Sequence, residues 1–165
     1  MALTVEDGTG LAAADSAVSL AAFDQFITDR NLTTTATDAA KEAWLREATS
    51  YETANYAYPS IVKVETQALN FPRLENYYIG GRLITGLPEK WKEAVMLLAW
   101  EARNGSLAPM DDTSAIKRIR EKVDVIEEET EYAGAKGARK FIAVDRLLAQ
   151  IGGNNRGGSV SLVRS

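Results

Sequence analysis

The sequence predicts a mostly α-helical protein: a small bundle of about four helices with an extended β-hairpin or loop insertion and an extended C-terminal tail. Apolar residues recur at helical spacing in four segments, and 165 residues with 45% apolar and 25% charged side chains suit one globular core. The closing "GNNRGGSVSLVRS" is too polar and glycine-rich to pack a core. We therefore expect an N-terminal arm at 1–18, a helical domain at 19–151 with an insertion at about 114–132, and a tail at 152–165.

Two helices are predicted in the first third of the chain. Ser19 is placed to cap the first, which should end near residues 30–31, and its apolar residues are Leu20, Phe23, Phe26 and Ile27. After the polar loop "NLTTTAT", Thr37 is placed to cap a longer helix that runs to about Tyr58, before Pro59. Its apolar stripe is Ala40, Trp44, Ala48 and Tyr51. The aromatic residues of this region are expected to pack in the core or an interface, with a base-stacking platform as the alternative: Trp44, Tyr51, Tyr56 and Tyr58.

The stretch "QALNFPR", residues 67–73, predicts a structural anchor. A residue before proline is driven out of the helical region, so Phe71 should be extended with its ring directed into the core. Pro72 then fixes the direction in which Arg73 leaves, and the long connection is held to the body. Farther on, Gly80 and Gly81 predict a tight turn between two short extended pieces.

Two more helices complete the predicted bundle. Pro88 suits the first position of a third helix, and Asn104 and Gly105 suit its end. Its buried face is expected to hold Trp91, Val95, Leu98 and Ala102. A last helix is predicted from about Ala138 to Ile151, with Gly152 as its stop.

The segment from 116 to 132 is ambiguous by pattern. Its isoleucines and valines fit helical spacing, whereas alternate residues from Ile119 to Glu131 fit a strand. Basic residues come first and acidic residues second, so in a hairpin the two halves would face each other as opposite-charge pairs.

Catalytic and metal-binding chemistry has little support. The chain has neither Cys nor His, which removes thiol nucleophiles, disulfides and most transition-metal ligands. The "DGTG" string near the start lacks the Lys and Ser/Thr of a P-loop, and Asp111 with Asp112 lacks the spacing of a calcium loop. We expect no enzyme and no cofactor. No apolar run approaches the length of a membrane span and no signal peptide is evident, so a cytoplasmic, membrane-free protein is expected.

Charge is distributed unevenly. Residues 133–165 hold six basic side chains and one acid, a net charge of +5, which leaves −9 for the rest of a chain whose total is −4. An acidic body with a basic end suits docking onto an acidic partner surface and argues against general nucleic-acid binding. Three classes stay open, namely a structural assembly protein, a single-stranded-DNA-binding module and an enzyme. Composition favours the first.

The order of segments resembles a phage family of DnaT-like single-stranded-DNA-binding proteins. Over nearly the whole chain the resemblance is carried by "VEDGTGL", "ADSAVSLAAFDQFITDRN", "KEAWLREATSYETANY", "QALNFPR", "LPEKWKEAVMLLAWEARNGSL", "IKRIREKVDVIEEETEY" and "VDRLLAQI". The string "QAL-aromatic-PR" is its most specific element. The family is similar to tailed-phage head-tail connector, or adaptor, proteins, and it favours strands for 116–132.

This resemblance implies a structural head-tail connector, a homo-oligomeric and commonly dodecameric ring under the portal protein in the virion neck, assembled in the host cytoplasm. Its other partners would be downstream neck or tail-terminator proteins and passing double-stranded DNA, bound without sequence specificity. A portal-docking tail would use Arg156, Val160, Leu162, Val163 and Arg164. A lumen-facing acidic set would be Glu127, Glu128, Glu129 and Glu131. The anchor would be Phe71, Pro72 and Arg73. The alternative is a single-stranded-DNA-binding replication accessory protein.

Overall fold

The computed structural model describes residues 2–108, 116–120, 129–132 and 140–155, with backbone alone for the two short middle ranges. The chain divides into two compact units, residues 1–107 with 141–165 and residues 108–140. None of the described helices is long and apolar enough to cross a membrane.

The described residues contain four helices and three two-stranded antiparallel ladders. The helices are α1 (Leu20–Asp29), α2 (Asp38–Asn55), α3 (Glu89–Ala102) and α4 (Ile142–Ala149). The ladders pair β1 (Tyr56–Ala57) with β6 (Asn154–Asn155), β2 (Ile61–Val62) with β3 (Arg73–Leu74), and β4 (Ile116–Arg120) with β5 (Glu129–Tyr132). A small helical protein with a hairpin is therefore confirmed. The description "mostly α" fits loosely, because small sheets and irregular segments form much of the chain.

Side-chain caps begin the first two helices as predicted. The Ser19 hydroxyl accepts a hydrogen bond from Ala22 N, and the Thr37 hydroxyl accepts one from Ala40 N. Helix α2 ends at Asn55, short of the predicted end, because Tyr56 is extended and pairs with β6. Pro88 is the N-cap of α3, so the helix begins at Glu89, one residue later than predicted. Helix α4 is shorter than the predicted 138–151.

Helices α2 and α3 form the centre of the first unit and run antiparallel. Leu107, beyond the end of α3, donates its N–H to Glu47 Oε1 in α2 at 2.7 Å. At the other end of the pair, the Phe71 ring contacts both Trp91 in the first turn of α3 and Tyr58 just beyond the end of α2. Helix α4 packs on α3. The fully buried face of α3 includes Trp91, as its spacing predicted.

Ala48 in α2 is buried as predicted, but the rest of the predicted buried face is displaced by about one residue, or roughly 100° around the helix. The structure buries Lys41, Leu45, Ala48, Thr49 and Glu52, and leaves Trp44 and Tyr51 half-buried. Polar side chains occupy part of the core because they have partners there. One example is the Thr49 hydroxyl, which accepts from Ala17 N at 3.2 Å. Hydropathy alone places such residues outside.

"QALNFPR" fixes the β2–β3 loop to the core. Phe71 is fully buried, with its ring 4.8 Å from that of Tyr58 and 5.2 Å from that of Trp91 between centroids. Its peptide bond to Pro72 is cis. Arg73 turns inward and donates to the backbone carbonyls of Tyr58 at 3.2 Å and Asn70 at 3.0 Å, and to the carbonyl of Ser60.

In the second unit the described residues of the ambiguous segment are strands. The β4–β5 register places Arg118 opposite Glu131 and Arg120 opposite Glu129, which is the order that the charge pattern predicted for a hairpin. Glu127 and Glu128 lie outside the described residues, and only the backbone of Glu129 and Glu131 is described. The predicted docking residues also lie outside them: Arg156, Val160, Leu162, Val163 and Arg164.

Candidate nucleic-acid interface

An open groove of about 470 Å³ lies at the end of the α2–α3 pair where α2 begins. We call it the Trp44 groove. Three parts of the chain form it: the loop before α2, the second turn of α2 and the residue that follows α3. Its lining is Thr33, Thr34, Thr35, Ala36, Trp44 and Arg103.

The threonine loop is held at both ends by hydrogen bonds. Leu32 N bonds back to Ile27 O at 2.9 Å after α1, and Thr37 caps α2. Between these points Ala36 N donates to the Thr34 hydroxyl at 3.1 Å. The side chains of Thr33 and Thr35 are exposed, so the loop presents hydroxyl groups to the groove on a fixed backbone.

Trp44 supplies the aromatic wall. Its side chain packs against the hydrophobic core and is half-buried, so part of the indole is accessible from the groove. An indole supported by core packing is a rigid surface on which a planar ring can stack at small entropic cost.

Arg103 supplies the charge of the groove. Its guanidinium carbon lies 4.0 Å from the centroid of the Trp100 ring. Within the described part of the chain no carboxylate lies within salt-bridge distance of it, whereas Arg30 and Lys41, for example, pair with carboxylates at 2.7 to 2.9 Å. Among the described residues, therefore, no acid is placed to neutralise the positive charge of Arg103.

A second arginine lies on an aromatic ring in the hairpin of residues 76–84. Arg82 is 4.5 Å from the centroid of Tyr78. Backbone bonds join Tyr78 N to Arg82 O and Ile84 N to Asn76 O, and a turn at Gly80 and Gly81 closes the hairpin, as predicted. Both glycines have positive φ, +109° and +84°, which side chains rarely adopt.

A buried carboxyl group organises the core beside Phe71. Glu52 is fully buried, and its Oε1 accepts from the Tyr58 hydroxyl at 2.6 Å and from Asn70 Nδ2 at 3.2 Å. Burial raises the pKa of Glu52, and hydrogen bonds from neighbours including Tyr58 and Asn70 offset part of that rise. Burial likewise raises the pKa of Tyr58. These groups hydrogen-bond to one another, so the network stabilises the fold.

The backbone N–H groups of the "DGTG" loop bind a carboxylate of the same chain, that of Glu6. The buried Glu6 carboxylate accepts from the N–H groups of Gly8, Gly10 and Leu11, each at 2.9 Å. These backbone N–H groups already have an acceptor, so they are not available to bind a phosphate. Among the described residues no three acidic, Cys or His side chains gather as a metal site.

The structure separates the predicted anchor from the groove. Phe71 and Arg73 serve the core, at the opposite end of the α2–α3 pair from Arg103. Treating Trp44 as core packing missed the groove, although base stacking was the stated alternative. One local signal was available, since Trp100 and Arg103 are three residues apart on a helix and such residues are neighbours on its surface.

Comparison with known proteins decides between the two functions that the sequence resemblance implied. The family model described as "Putative DnaT-like ssDNA binding protein" matches residues 1–165. No curated protein and no solved structure shows significant similarity to the chain. The match supports the alternative, and the head-tail connector interpretation is wrong, together with its ring, its portal and neck partners and the passage of unbound double-stranded DNA. The chain belongs to the family of DnaT-like single-stranded-DNA-binding proteins.

Proposed function

We propose that this protein binds single-stranded DNA and that the Trp44 groove is the site. Membership of the family supports the activity. The observation that carries the location is Arg103, a cation without a carboxylate partner in the described chain, lining an open groove together with the Trp44 indole.

Stacking on the indole explains the preference for single strands. Each base stacked on an aromatic side chain contributes about 1–3 kcal/mol, whatever its identity. Bases of a duplex are stacked on one another, so their faces are not available to the indole, whereas an unpaired strand exposes its base faces. The site therefore discriminates by strand state and only weakly by sequence.

The acidic composition sets the character of the binding. With a net charge of −4 the chain lacks a broad basic surface for the phosphate backbone. A strand that meets Arg103 alone neutralises one phosphate, which predicts a slope of about −0.7 for log affinity against log salt concentration. Stacking then supplies most of the affinity, and binding should persist at salt concentrations that release a typical electrostatic binder.

Fluorescence anisotropy tests the proposal. A labelled oligothymidine of about 12 nucleotides, within the usual site sizes, is compared with a duplex of equal length for the wild type, Arg103→Gln and Arg146→Gln. Arg146 is exposed on α4 and serves as the matched loss of one positive charge. We expect the wild type to prefer the single strand, Arg103→Gln to weaken binding and Arg146→Gln to leave it unchanged. Failure of the wild type to bind at low salt, or equal loss in both variants, contradicts the proposal.

A further inference from the structure

We propose that the Trp44 groove is a single-nucleotide subsite, which stacks one base on Trp44 and holds one adjoining phosphate between Arg103 and the hydroxyls of Thr33 and Thr35. This inference rests on the proposed function and names the ligand of its site. The ligand is a nucleoside monophosphate unit, either free or within a strand.

The size of the groove fits one such unit. Its volume of about 470 Å³ lies at the lower end of the roughly 300–1,000 Å³ of small-molecule pockets. The lining offers one indole and one cation, which match one base and one phosphate. A longer segment would have to continue over the surface outside the groove.

The conformation of the Arg103 side chain suits phosphate binding. A guanidinium that lies over an aromatic ring uses its face for that contact, and its N–H groups project from the edge of the plane. Contact with Trp100 at 4.0 Å therefore restricts the side chain while the edge donors stay available. A restricted donor loses less conformational freedom on binding than a mobile one.

The threonine loop supplies uncharged donors to the same groove. Thr33 and Thr35 are exposed, and each hydroxyl can donate one hydrogen bond to a phosphate oxygen. Thr34 differs because it is half-buried and its oxygen accepts from Ala36 N, so its hydroxyl is less accessible to a ligand than those of Thr33 and Thr35. Removal of the hydroxyls from Thr33 and Thr35 should accordingly weaken the binding of a ligand that carries a phosphate. The binding of a ligand without a phosphate should not change.

Nuclear magnetic resonance of the tryptophan side chains tests this arrangement, because the three indole N–H signals report on different places. Trp44 lies in the groove and Trp100 lies under Arg103, whereas Trp91 is fully buried and serves as an internal control for the fold. The protein is titrated separately with deoxyadenosine monophosphate, deoxyadenosine, inorganic phosphate and an oligothymidine.

The monophosphate is expected to shift the Trp44 and Trp100 signals, to leave Trp91 unchanged and to compete with the oligonucleotide. Deoxyadenosine should bind about tenfold or more weakly, because it lacks the charge-assisted hydrogen bonds. The double variant Thr33→Val with Thr35→Val should lower the affinity for the monophosphate and leave the affinity for deoxyadenosine unchanged. Trp44→Leu should lower the affinity for both ligands about five- to 150-fold. Trp44→Phe should lower it less, since phenylalanine keeps an aromatic ring.

The alternatives give different results. Inorganic phosphate binding as tightly as the monophosphate overturns the inference and leaves a simple anion site. An oligonucleotide that binds without moving Trp44 and without competition from the monophosphate also overturns it, yet leaves single-strand binding intact. Monophosphate binding without oligonucleotide binding supports the subsite and refutes the proposed function. No shift with any ligand overturns both.

Discussion

Replacement of Phe71 by alanine should remove a large part of the stability of the first unit. The side chain has no exposed surface and its ring contacts those of Tyr58 and Trp91. Truncation of a buried phenylalanine to alanine costs about 3–5 kcal/mol, through lost burial and the cavity left behind. Total stabilities of about 5–15 kcal/mol are usual, so the loss is at least a fifth of the total. At about 2–4 °C per kcal/mol for a chain of this length, the melting temperature should fall by about 6–20 °C.

Urea unfolding followed by circular dichroism measures this loss as a lower midpoint at an unchanged slope. Ile79→Ala is the matched control, because Ile79 is 77% exposed in the hairpin of residues 76–84 and should change stability by no more than about 0.5 kcal/mol. A Phe71→Ala variant within about 1 kcal/mol of the wild type would refute the role of this residue as the anchor of the loop.

Three further substitutions test separate parts of the fold. Glu52→Gln replaces the buried carboxyl group with an amide that does not titrate. In the wild type, burial raises the pKa of Glu52 above its ordinary value of 4.5, so the folded state keeps a proton that the unfolded state loses. Wild-type stability should therefore fall as pH rises from about 4.5 through the folded pKa, and urea midpoints between pH 4 and 8 should show this fall in the wild type and not in the variant. Glu6→Gln should cost about 2 kcal/mol in the same assay, because a neutral amide cannot satisfy three backbone donors as the carboxylate does; a neutral outcome would contradict that account. Ser19→Ala should cost about 1 kcal/mol through loss of the α1 cap, and no measurable change would count against the cap.

Local chemistry made several elements predictable from sequence. The caps at Ser19 and Thr37, the arrival of Pro88 at the start of α3 and the turn at Gly80–Gly81 all depend on residues next to the feature they produce. Each residue type carries a conformational preference strong enough to act before tertiary packing. The burial of Phe71 belongs to the same group, since the proline that follows restricts its backbone.

Tertiary pairing decided what the pattern could not. The buried face of α2 includes Thr49 and Glu52 because partners distant in sequence satisfy them, at Ala17 and at Tyr58. The Trp44 groove joins residues 33–36 to Arg103, and only the antiparallel packing of α2 on α3 brings them together. Overall charge was misleading as a guide to function, because it favoured a structural assembly protein whereas the family match supports a single-stranded-DNA-binding protein.

The most direct measurement of single-strand binding is photochemical cross-linking to an oligonucleotide that carries 5-iododeoxyuridine, followed by trypsin and mass spectrometry. Cleavage after Lys41 and Arg46 isolates Trp44 in residues 42–46, and cleavage after Lys92 and Arg103 isolates Trp100 in residues 93–103. We expect adducts on these two peptides that a single-stranded competitor removes and a duplex does not. A strand that leaves no adduct at low salt, or marks only peptides away from the groove, would contradict the account.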